Sequence, residues 1–347
     1  MRALLFDDAR AVQITEVADP VLRPGFVLLR NRASGICGSD LHVYRGHWPL
    51  DTTYPTGHEF CADVIGVGEG VTNVELGQRV CVECFSHCGS CAPCRTGQHN
   101  LCMQRRFLSS DGPGGFAPVA LVHASTLLPI PPELSDEDGA FVEPLAVGVR
   151  ALAQSGARAP DRLGIIGAGT IGLCTAAVAQ ATGFAEVWLS CRYPHQVEAA
   201  RRLGVAQPVL AASDRGSGPF REAVERGTDG RGVDAVVDTI GTAGSFEDAA
   251  TVVRPGGSIS LVGGYTEPVT VPLASVVGKE LQLAGSCCYA YSDGRRDFQT
   301  AIGLLAAGQV SSELFVTHRF ALDDAPEAFG VADDKQSASI KVQFILT

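Results

Sequence analysis

The hydrophobic pattern of the first third of the chain has a period of two. Residues 27–37 alternate apolar and polar side chains, and residues 63–71 are β-branched with glycine punctuation. Further short apolar pieces lie between residues 112 and 132, separated by prolines. Alternation over a few residues, bounded by glycine and proline, is typical of half-buried strands. The pattern therefore predicts a β-rich region.

From residue 161 the pattern changes to apolar runs that alternate with helical segments. Buried strands are predicted at 162–167 and 185–190, each followed by a helix, at 173–183 and 194–204. Three further apolar strands follow, at 233–241, 257–264 and 280–286. Strands that alternate with helices form right-handed βαβ units and a parallel sheet. The fold class predicted for the whole chain is α/β.

Three more helices and a last strand complete the predicted elements. One helix is expected to begin at Glu143 and to stop at Gly156, and two others cover 298–308 and 325–332. A strand is predicted at 341–346. Neither an internal repeat nor a low-complexity segment is visible.

Composition excludes several classes of protein. With 347 residues, 46% hydrophobic and 19% charged, the chain can bury the cores of two domains and is not disordered. A formal net charge of −11 without a basic block argues against partners such as nucleic acid or an anionic membrane. The uncharged stretch 163–185 is rich in glycine and splits into a strand and a helix, so no membrane span is expected.

Twelve cysteines stand in a chain that shows no secretory signal. That combination indicates a reducing compartment, here the cytoplasm, and thiols used for metal binding or catalysis rather than disulfides.

The strongest chemical signal is a cysteine-rich lobe at about residues 84–102. Its spacing suits a closed tetrahedral zinc site, and the intervening Gly89, Pro93 and Gly97 let the loop fold around the metal. An iron–sulfur cluster also takes four cysteines. Cys81 and Cys84 lie near in sequence, so the choice of ligands rests on spacing. The predicted ligands are Cys88, Cys91, Cys94 and Cys102.

A second cluster combines Cys37 with His58 and Glu59. Each residue alone is more often a packing residue, but a thiolate, an imidazole and a carboxylate together suit an open zinc site with room for substrate. Glu143 is a further candidate ligand, and its alternative role is that of an acid at a helix N-terminus. In the segment after Cys37, Ser39 and His42 are placed to pass on a proton.

Residues 167–172 read Gly-Ala-Gly-Thr-Ile-Gly between a predicted strand and a predicted helix. In that context the pattern predicts a dinucleotide site, where the helix N-terminus meets the pyrophosphate. The predicted cofactor contacts in the turn are Gly167, Gly169, Thr170, Ile171 and Gly172.

The residues after the predicted strand at 185–190 help to decide between NAD(H) and NADP(H). An acid about 20 residues after the glycines binds the ribose of NAD, but here that position is Cys191. Arg192 follows it and can pair with a 2′-phosphate, with His195 close enough to help. NADP(H) is therefore predicted over NAD(H). The alternative is that Arg192 is a solvated surface residue.

The sequence resembles the zinc-containing medium-chain dehydrogenase/reductases, and within them the sorbitol and threonine dehydrogenase branch. The resemblance spans essentially the whole chain. It rests on CGSDLH at 37–42, GHE at 57–59, the cysteine lobe, FVEPLAVGVRA at 141–151 and GAGTIG at 167–172, with LVGG and LAGS further on.

The resemblance implies a GroES-like catalytic domain, a doubly wound Rossmann domain and a cleft between them. We place the catalytic domain at 1–148 and 286–347, and the Rossmann domain at 149–285. The family assigns the catalytic zinc to Cys37 and His58, with Glu59 or Glu143 as third ligand. It assigns a second, structural zinc to the four cysteines of the lobe, and it implies a homodimer or homotetramer.

The predicted reaction is hydride transfer between a nicotinamide and a secondary alcohol or its ketone. Zinc would act as a Lewis acid on the oxygen, with Ser39 and His42 removing the proton. Polyols, sugars, aminocyclitols and hydroxy amino acids remain open as substrates, and Tyr44, Trp48 and Phe107 are expected to line their pocket. Two alternatives are an NADPH-dependent biosynthetic ketone reductase and a nucleotide-binding zinc protein without catalysis.

Overall fold

The computed structural model describes residues 1–7, 9–49, 54–211 and 218–346. The chain forms two compact units. Unit 1 comprises Met1–Glu143 and Asp293–Thr347, and unit 2 comprises Pro144–Ser292. The domain boundaries predicted from the sequence, at 148/149 and 285/286, lie within a few residues of these unit boundaries.

Unit 1 is rich in short strands. They are β1 (Arg2–Phe6), β2 (Val12–Glu16), β3 (Phe26–Gly35), β4 (Glu59–Val67), β5 (Arg79–Val82), β6 (Phe85–Ser86), β7 (Arg106–Phe107), β8 (Val119–His123), β9 (Leu127–Pro129), β17 (Arg295–Arg296), β18 (Val316–Phe320) and β19 (Lys341–Ile345). Its helices are α1 (Gly38–Tyr44), α2 (Ala92–Arg95), α9 (Asp297–Ala306) and α10 (Ala325–Asp333). Single 3-10 turns lie at His99–Leu101, Leu108–Ser110, Ala124–Thr126, Ser312–Leu314, Leu322–Asp324 and Lys335–Ser337.

A mixed sheet organises unit 1. Its strand order is β18-β19-β3-β4-β5-β9, and β8 also pairs with β3. β3 and β4 are antiparallel, with Gly35 opposite Glu59 at one end. Phe116, Phe329 and Phe344 lie fully buried in one apolar cluster beneath this sheet. Burial of apolar surface of this kind is the main stabilising contribution to the unit.

Unit 2 contains a parallel sheet. The strands of this sheet are β10 (Leu163–Ile166), β11 (Val187–Cys191), β12 (Gln207–Leu210), β13 (Val233–Asp238), β14 (Val253–Leu261) and β15 (Gln282–Gly285). The short β16 (Tyr291–Ser292) lies outside it. Its helices are α4 (Thr170–Ala181), α5 (Pro194–Arg202), α6 (Gly218–Gly227), α7 (Ala243–Val252) and α8 (Leu273–Gly278).

The sheet order β12-β11-β10-β13-β14-β15 is that of a Rossmann fold. Each neighbouring pair in this sheet is parallel. The order reverses between β10 and β13, and ligands of such sheets bind at the carboxyl ends of the strands beside that point. Ile166 and Phe246 lie in its apolar core.

The helix predicted to begin at Glu143 is longer than expected. It runs from Asp136 to Gln154 as α3 and contains Pro144. Its start is a capping box in which the Ser135 hydroxyl accepts from the Asp138 amide at 3.0 Å, while the Asp138 carboxylate accepts from Ser135. The expected start was wrong, because the cap from Ser135 opens the helix already at Asp136. Glu143 is thus an inner helical residue and not an N-terminal acid.

In the part of the chain that the structure describes, we find no helix long and apolar enough to cross a membrane.

Candidate active site and metal centres

Cys37, His58 and Glu59 meet in unit 1 at the end of two paired strands. Glu59 opens β4 opposite Gly35, the last residue of β3, and Cys37 precedes α1. The ligand atoms of Cys37, His58 and Glu59 lie within 4.8 Å of one another. The strand register thus joins residues that are about 20 positions apart in sequence.

Gly35 has to be a glycine for this arrangement. A Cβ there would collide with the carboxylate of Glu59. Gly35, which pairs with Glu59, therefore leaves room for the Glu59 side chain.

The acidic groups of this cluster favour a bound cation. His58 is buried, and its Nδ1 makes no hydrogen bond with any described residue. Burial alone would lower the pKa of His58, but the thiolate of Cys37 and the carboxylates of Asp40 and Glu143 raise it well above its ordinary value. A soft thiolate, an imidazole and a carboxylate in this setting fit a zinc ion.

Asp40 hydrogen-bonds to Cys37 and lies close to His58. It is 5% exposed, and its Oδ2 accepts from the Cys37 amide at 2.8 Å. Its Oδ1 lies 3.9 Å from His58 Nδ1. Burial raises the pKa of Asp40 to about 6, against the opposing charge of His58. Asp40 is not among the residues predicted from the sequence, although its place in the CGSDLH segment is a signal.

Glu59 has a partner that the sequence could not indicate. Lys341 Nζ donates to both carboxylate oxygens, at 2.8 and 2.6 Å, and to the Ile36 carbonyl at 2.9 Å. The side chains of Lys341 and Glu59 are only 3% and 1% exposed. They are 282 residues apart in sequence, and β19 brings Lys341 to the site only because it pairs with β3.

The other predicted residues of this site occupy different positions around it. Ser39 and His42 lie three apart on α1 and so share a face. The His42 ring stacks on Trp48 at 4.6 Å, and the Phe107 ring meets His58 at 5.7 Å. Tyr44 instead packs against Phe329 at the core cluster.

Burial, together with the charges of Arg45 and His47, lowers the pKa of His42. The imidazole is therefore neutral near pH 7, and in that form it can accept a proton.

The four cysteines of the lobe form a second cluster. The Sγ atoms of Cys88, Cys91, Cys94 and Cys102 all lie within 4.8 Å of one another. β6 and β7 pair with each other and close the base of the lobe. Cys84 and Cys81 are buried but do not belong to this cluster.

The spacing of the sulfurs fits zinc. Sγ of Cys102 lies 3.6 Å from Cys88 and 3.9 Å from Cys91, whereas two thiolates on one tetrahedral zinc are about 3.8 Å apart. Backbone amides and the Ser90 hydroxyl lower the pKa of Cys88 to about 6. A thiolate held in this way is a ready metal ligand.

The glycine-rich turn lies between β10 and α4 in unit 2. Gly167 has φ +98°, a backbone conformation that favours glycine. Gly169 is the N-cap of α4, and a Cβ on it would point into open space. Thr170 opens the helix, Ile171 follows, and Gly172 packs against the Gly167 carbonyl. The turn is shaped to let a pyrophosphate approach the helix N-terminus.

The end of β11 lies beside this turn because β11 pairs with β10. Cys191 is fully buried, and burial raises the pKa of its thiol to about 12. Arg192 is exposed, with its guanidinium carbon 5.5 Å from the centre of the Tyr193 ring. The His195 ring is stacked parallel to Tyr193 in the first turn of α5.

Comparisons with known proteins agree with these two units. Residues 23–132 match the alcohol dehydrogenase GroES-like domain, and residues 170–307 match the zinc-binding dehydrogenase domain. An L-idonate 5-dehydrogenase of Vitis vinifera is 32% identical over 94% of this chain and 90% of its own. A sorbitol dehydrogenase of Halalkalibacterium halodurans is 29% identical over 95% and 94%.

Solved structures show the same fold. An alcohol dehydrogenase of Thermus sp. has a TM-score of 0.87 at 31% identity, with both chains fully covered. An alcohol dehydrogenase of Escherichia coli solved with NADH reaches 0.88 at 27%, covering 99% of each chain. A zinc-binding dehydrogenase of Sinorhizobium meliloti bound to NADP reaches 0.86 at 28%, covering 99% and 98%.

These findings confirm the predicted fold class, an α/β protein with GroES-like and Rossmann domains, and confirm that the chain is an enzyme. Its activity is alcohol oxidoreduction with zinc and a nicotinamide cofactor, and its substrates are small alcohols or ketones. The chain belongs to the zinc-containing medium-chain dehydrogenases, in the sorbitol dehydrogenase-like branch.

Proposed function

We propose that the protein interconverts a polyhydroxylated secondary alcohol and its ketone, using NADP(H) and two zinc ions per chain. The main observation behind this proposal is the Cys37–His58–Glu59 cluster, whose donor atoms lie within 4.8 Å of one another. Relatives named for sorbitol, L-arabinitol and L-idonate support a polyol or sugar-derived substrate.

Cys37, His58 and Glu59 would hold the catalytic zinc. When bound, zinc supplies Lewis acidity toward the substrate oxygen. Since Nδ1 of His58 faces Asp40, we assign its Nε2 as the ligand atom. Lys341 orients the Glu59 carboxylate, and each of its oxygens retains a lone pair.

Glu143 is the alternative third ligand, because it is buried and its charge acts on His58. Elemental analysis of zinc in two variants, Glu59→Gln and Glu143→Gln, distinguishes the two candidate ligands. We expect Glu59→Gln to lose close to one zinc per chain and Glu143→Gln to keep two. The reverse result would assign the ligand to Glu143.

Protons would leave the site along α1. Ser39 would accept the hydroxyl proton of the alcohol and pass it to His42 on the same helix face. The neutral imidazole of His42 is suited to receive it, because burial and nearby cations lower its pKa. In the direction of ketone reduction, the same two groups return the proton.

The preference for NADP(H) is supported at the end of β11. No acid stands at Cys191 to repel a phosphate, and Arg192 is exposed beside the glycine-rich turn. The first turn of α5, with His195, adds the partial positive charge of a helix N-terminus. A 2′-phosphate would find a guanidinium and an imidazole in one place.

The test is kcat/KM with NADPH and with NADH, for the wild type and for Arg192→Ala. A charged hydrogen bond is worth about 1.5–3 kcal/mol, so the variant should lose roughly 10- to 150-fold with NADPH and keep NADH use. Arg202→Ala, exposed at the far end of α5, is the matched control. If the wild type uses NADH as well as NADPH, the cofactor assignment is wrong.

Preference for NADPH would favour ketone reduction over alcohol oxidation, so both directions need a panel of substrates. Turnover of polyols or of their ketones supports the substrate class. Turnover restricted to simple monohydric alcohols would overturn it.

Self-association is also proposed, as a dimer or tetramer. β15 ends the described order of the unit 2 sheet, and Leu283 on it is 40% exposed. Nearby in sequence, Leu273 and Val277 of α8 are 64% and 76% exposed. Light scattering after gel filtration should show an oligomer that Val277→Glu weakens, and a monomeric wild type would refute this.

A further inference from the structure

We propose that Cys287 and Cys288 form a dithiol site that captures a trivalent arsenical through both sulfurs. This inference is independent of the proposed substrate and cofactor preference. It concerns two thiols that belong to neither of the clusters described above.

The two sulfurs converge although the residues are adjacent in sequence. Their Sγ atoms lie 3.8 Å apart. Neighbouring side chains of an extended strand point to opposite faces. Here Cys288 has φ +50°, in the left-handed region that L residues seldom adopt. This turn of the backbone brings both thiols to one side of the loop.

The loop that carries the pair is fixed at both ends. Before it, the Gly285 carbonyl accepts from Gln154 Nε2 at 2.9 Å. After it, Arg150 Nη1 donates to the Tyr291 carbonyl at 3.1 Å. Tyr289 and Ala290 are 5% and 4% exposed, so the segment directly after the pair is packed. The sulfurs are thus held together by the fold before any ligand arrives.

The pair is reachable from solvent. Cys287 is exposed and Cys288 is half-buried. By contrast, Cys61, Cys81 and Cys174 are at most 1% exposed. Among the cysteines outside the lobe and the active site, this pair is the accessible one within the described residues.

At 3.8 Å the two sulfurs are in contact but not bonded, so a ligand that bridges them can take both. A direct disulfide requires them to approach to about 2.05 Å. Two thiolates that share one zinc lie about 3.8 Å apart, but a structural zinc needs four ligands. A monosubstituted arsenic(III) centre takes two sulfurs and its own carbon, so this pair completes its coordination.

The chemistry balances without an oxidant. In the reaction with phenylarsine oxide, two arsenic–sulfur bonds form and the arsenic–oxygen bond breaks. The two thiol protons leave with that oxygen as one water molecule, and arsenic remains trivalent. An added dithiol can reverse the capture, whereas a monothiol offers one sulfur at a time and competes poorly with a chelate.

The test uses the reduced, zinc-loaded full chain, with one equivalent of phenylarsine oxide followed by native mass spectrometry. We expect one phenylarsenic group per chain, retained in excess 2-mercaptoethanol and removed by 2,3-dimercaptopropanol. Cys287→Ser and Cys288→Ser should each retain at least ten-fold less label under the monothiol. Cys174→Ala, a buried control, should retain it fully.

Three results would overturn the proposal. They are a label on the wild type that the monothiol removes, a label retained by the double serine variant, and release of zinc in step with labelling. The last would place the arsenical on the four cysteines of the lobe. Far-UV circular dichroism of each variant checks that it is folded.

Discussion

Replacing Lys341 by methionine tests the ion pair beneath the active-site cluster. The substitution keeps an unbranched apolar side chain, one atom shorter than that of lysine, and removes its charge. Glu59, 1% exposed, then loses both of its 2.6–2.8 Å hydrogen bonds from Nζ, and the Ile36 carbonyl loses its donor. Removing one partner of a buried pair costs about 3–5 kcal/mol, because the remaining charge is left uncompensated.

The expected loss is therefore about 3–5 kcal/mol in the free energy of unfolding of unit 1. Hydrogen exchange of peptides from β3, β4 and β19, read by mass spectrometry, measures that unit separately from unit 2. Lys335→Met is the control, because Lys335 is exposed and its Nζ makes one hydrogen bond, to the Ala332 carbonyl at 3.1 Å; it should change the free energy by less than about 1.5 kcal/mol. The double variant Lys341→Met/Glu59→Gln should regain much of the loss, since no charge remains buried.

The metal provides a second comparison. If Glu59 is a zinc ligand, bound zinc compensates its charge, and Lys341→Met should cost less in zinc-loaded protein than after chelation. The reasoning is refuted if Lys341→Met costs under about 1 kcal/mol in the chelated protein. It is also refuted if the double variant is no more stable than the single one.

Three further predictions concern other sites. Cys94→Ser should lower zinc content from two ions per chain to one and lower the stability of unit 1, because a closed zinc site contributes folding free energy; elemental analysis showing two ions in the variant would contradict it. Ser39→Ala should slow turnover by roughly 10²–10⁴-fold with little change in cofactor affinity, and near-normal rates across neutral pH would rule out the relay. Burial, opposed by Arg296 at 3.1 Å, raises the pKa of Glu83 to about 7. That raised pKa gives stability that is present below the unfolded value of about 4.5 and lost as pH rises through about 7. Wild type should therefore lose up to roughly 3 kcal/mol relative to Glu83→Gln between pH 5 and 8, and parallel pH curves in urea unfolding would show that Glu83 does not titrate there.

Where the chemistry is local in sequence, the sequence was sufficient. The four cysteines of the lobe lie within 15 residues, and the glycines of the cofactor turn within six. A short loop constrains its residues to remain close whatever the rest of the chain does. Five strands of unit 2 and its helices α4 and α5 were found for a similar reason, since each has its own period, whereas α6, α7 and α8 were not predicted.

Element boundaries were less well determined. The start of α3 at Asp136 depends on a side-chain cap from Ser135, which the apolar pattern after Glu143 does not show. The strand β12 was missed because its four residues, Gln207–Leu210, carry no clear alternation.

What only the tertiary structure decided is which distant residues share a buried site. The sequence predicted metal-binding chemistry at Cys37, His58 and Glu59, but gave no sign that Lys341 pairs with Glu59. That contact arises because β19, near the end of the chain, pairs with β3, and β3 pairs with β4. A lysine at the start of an apolar strand has no partner visible in sequence. Pairing between β3 and β19, which lie near opposite ends of the chain, supplies Glu59 as the partner. Because burying an isolated charge is costly, a buried lysine needs such a partner.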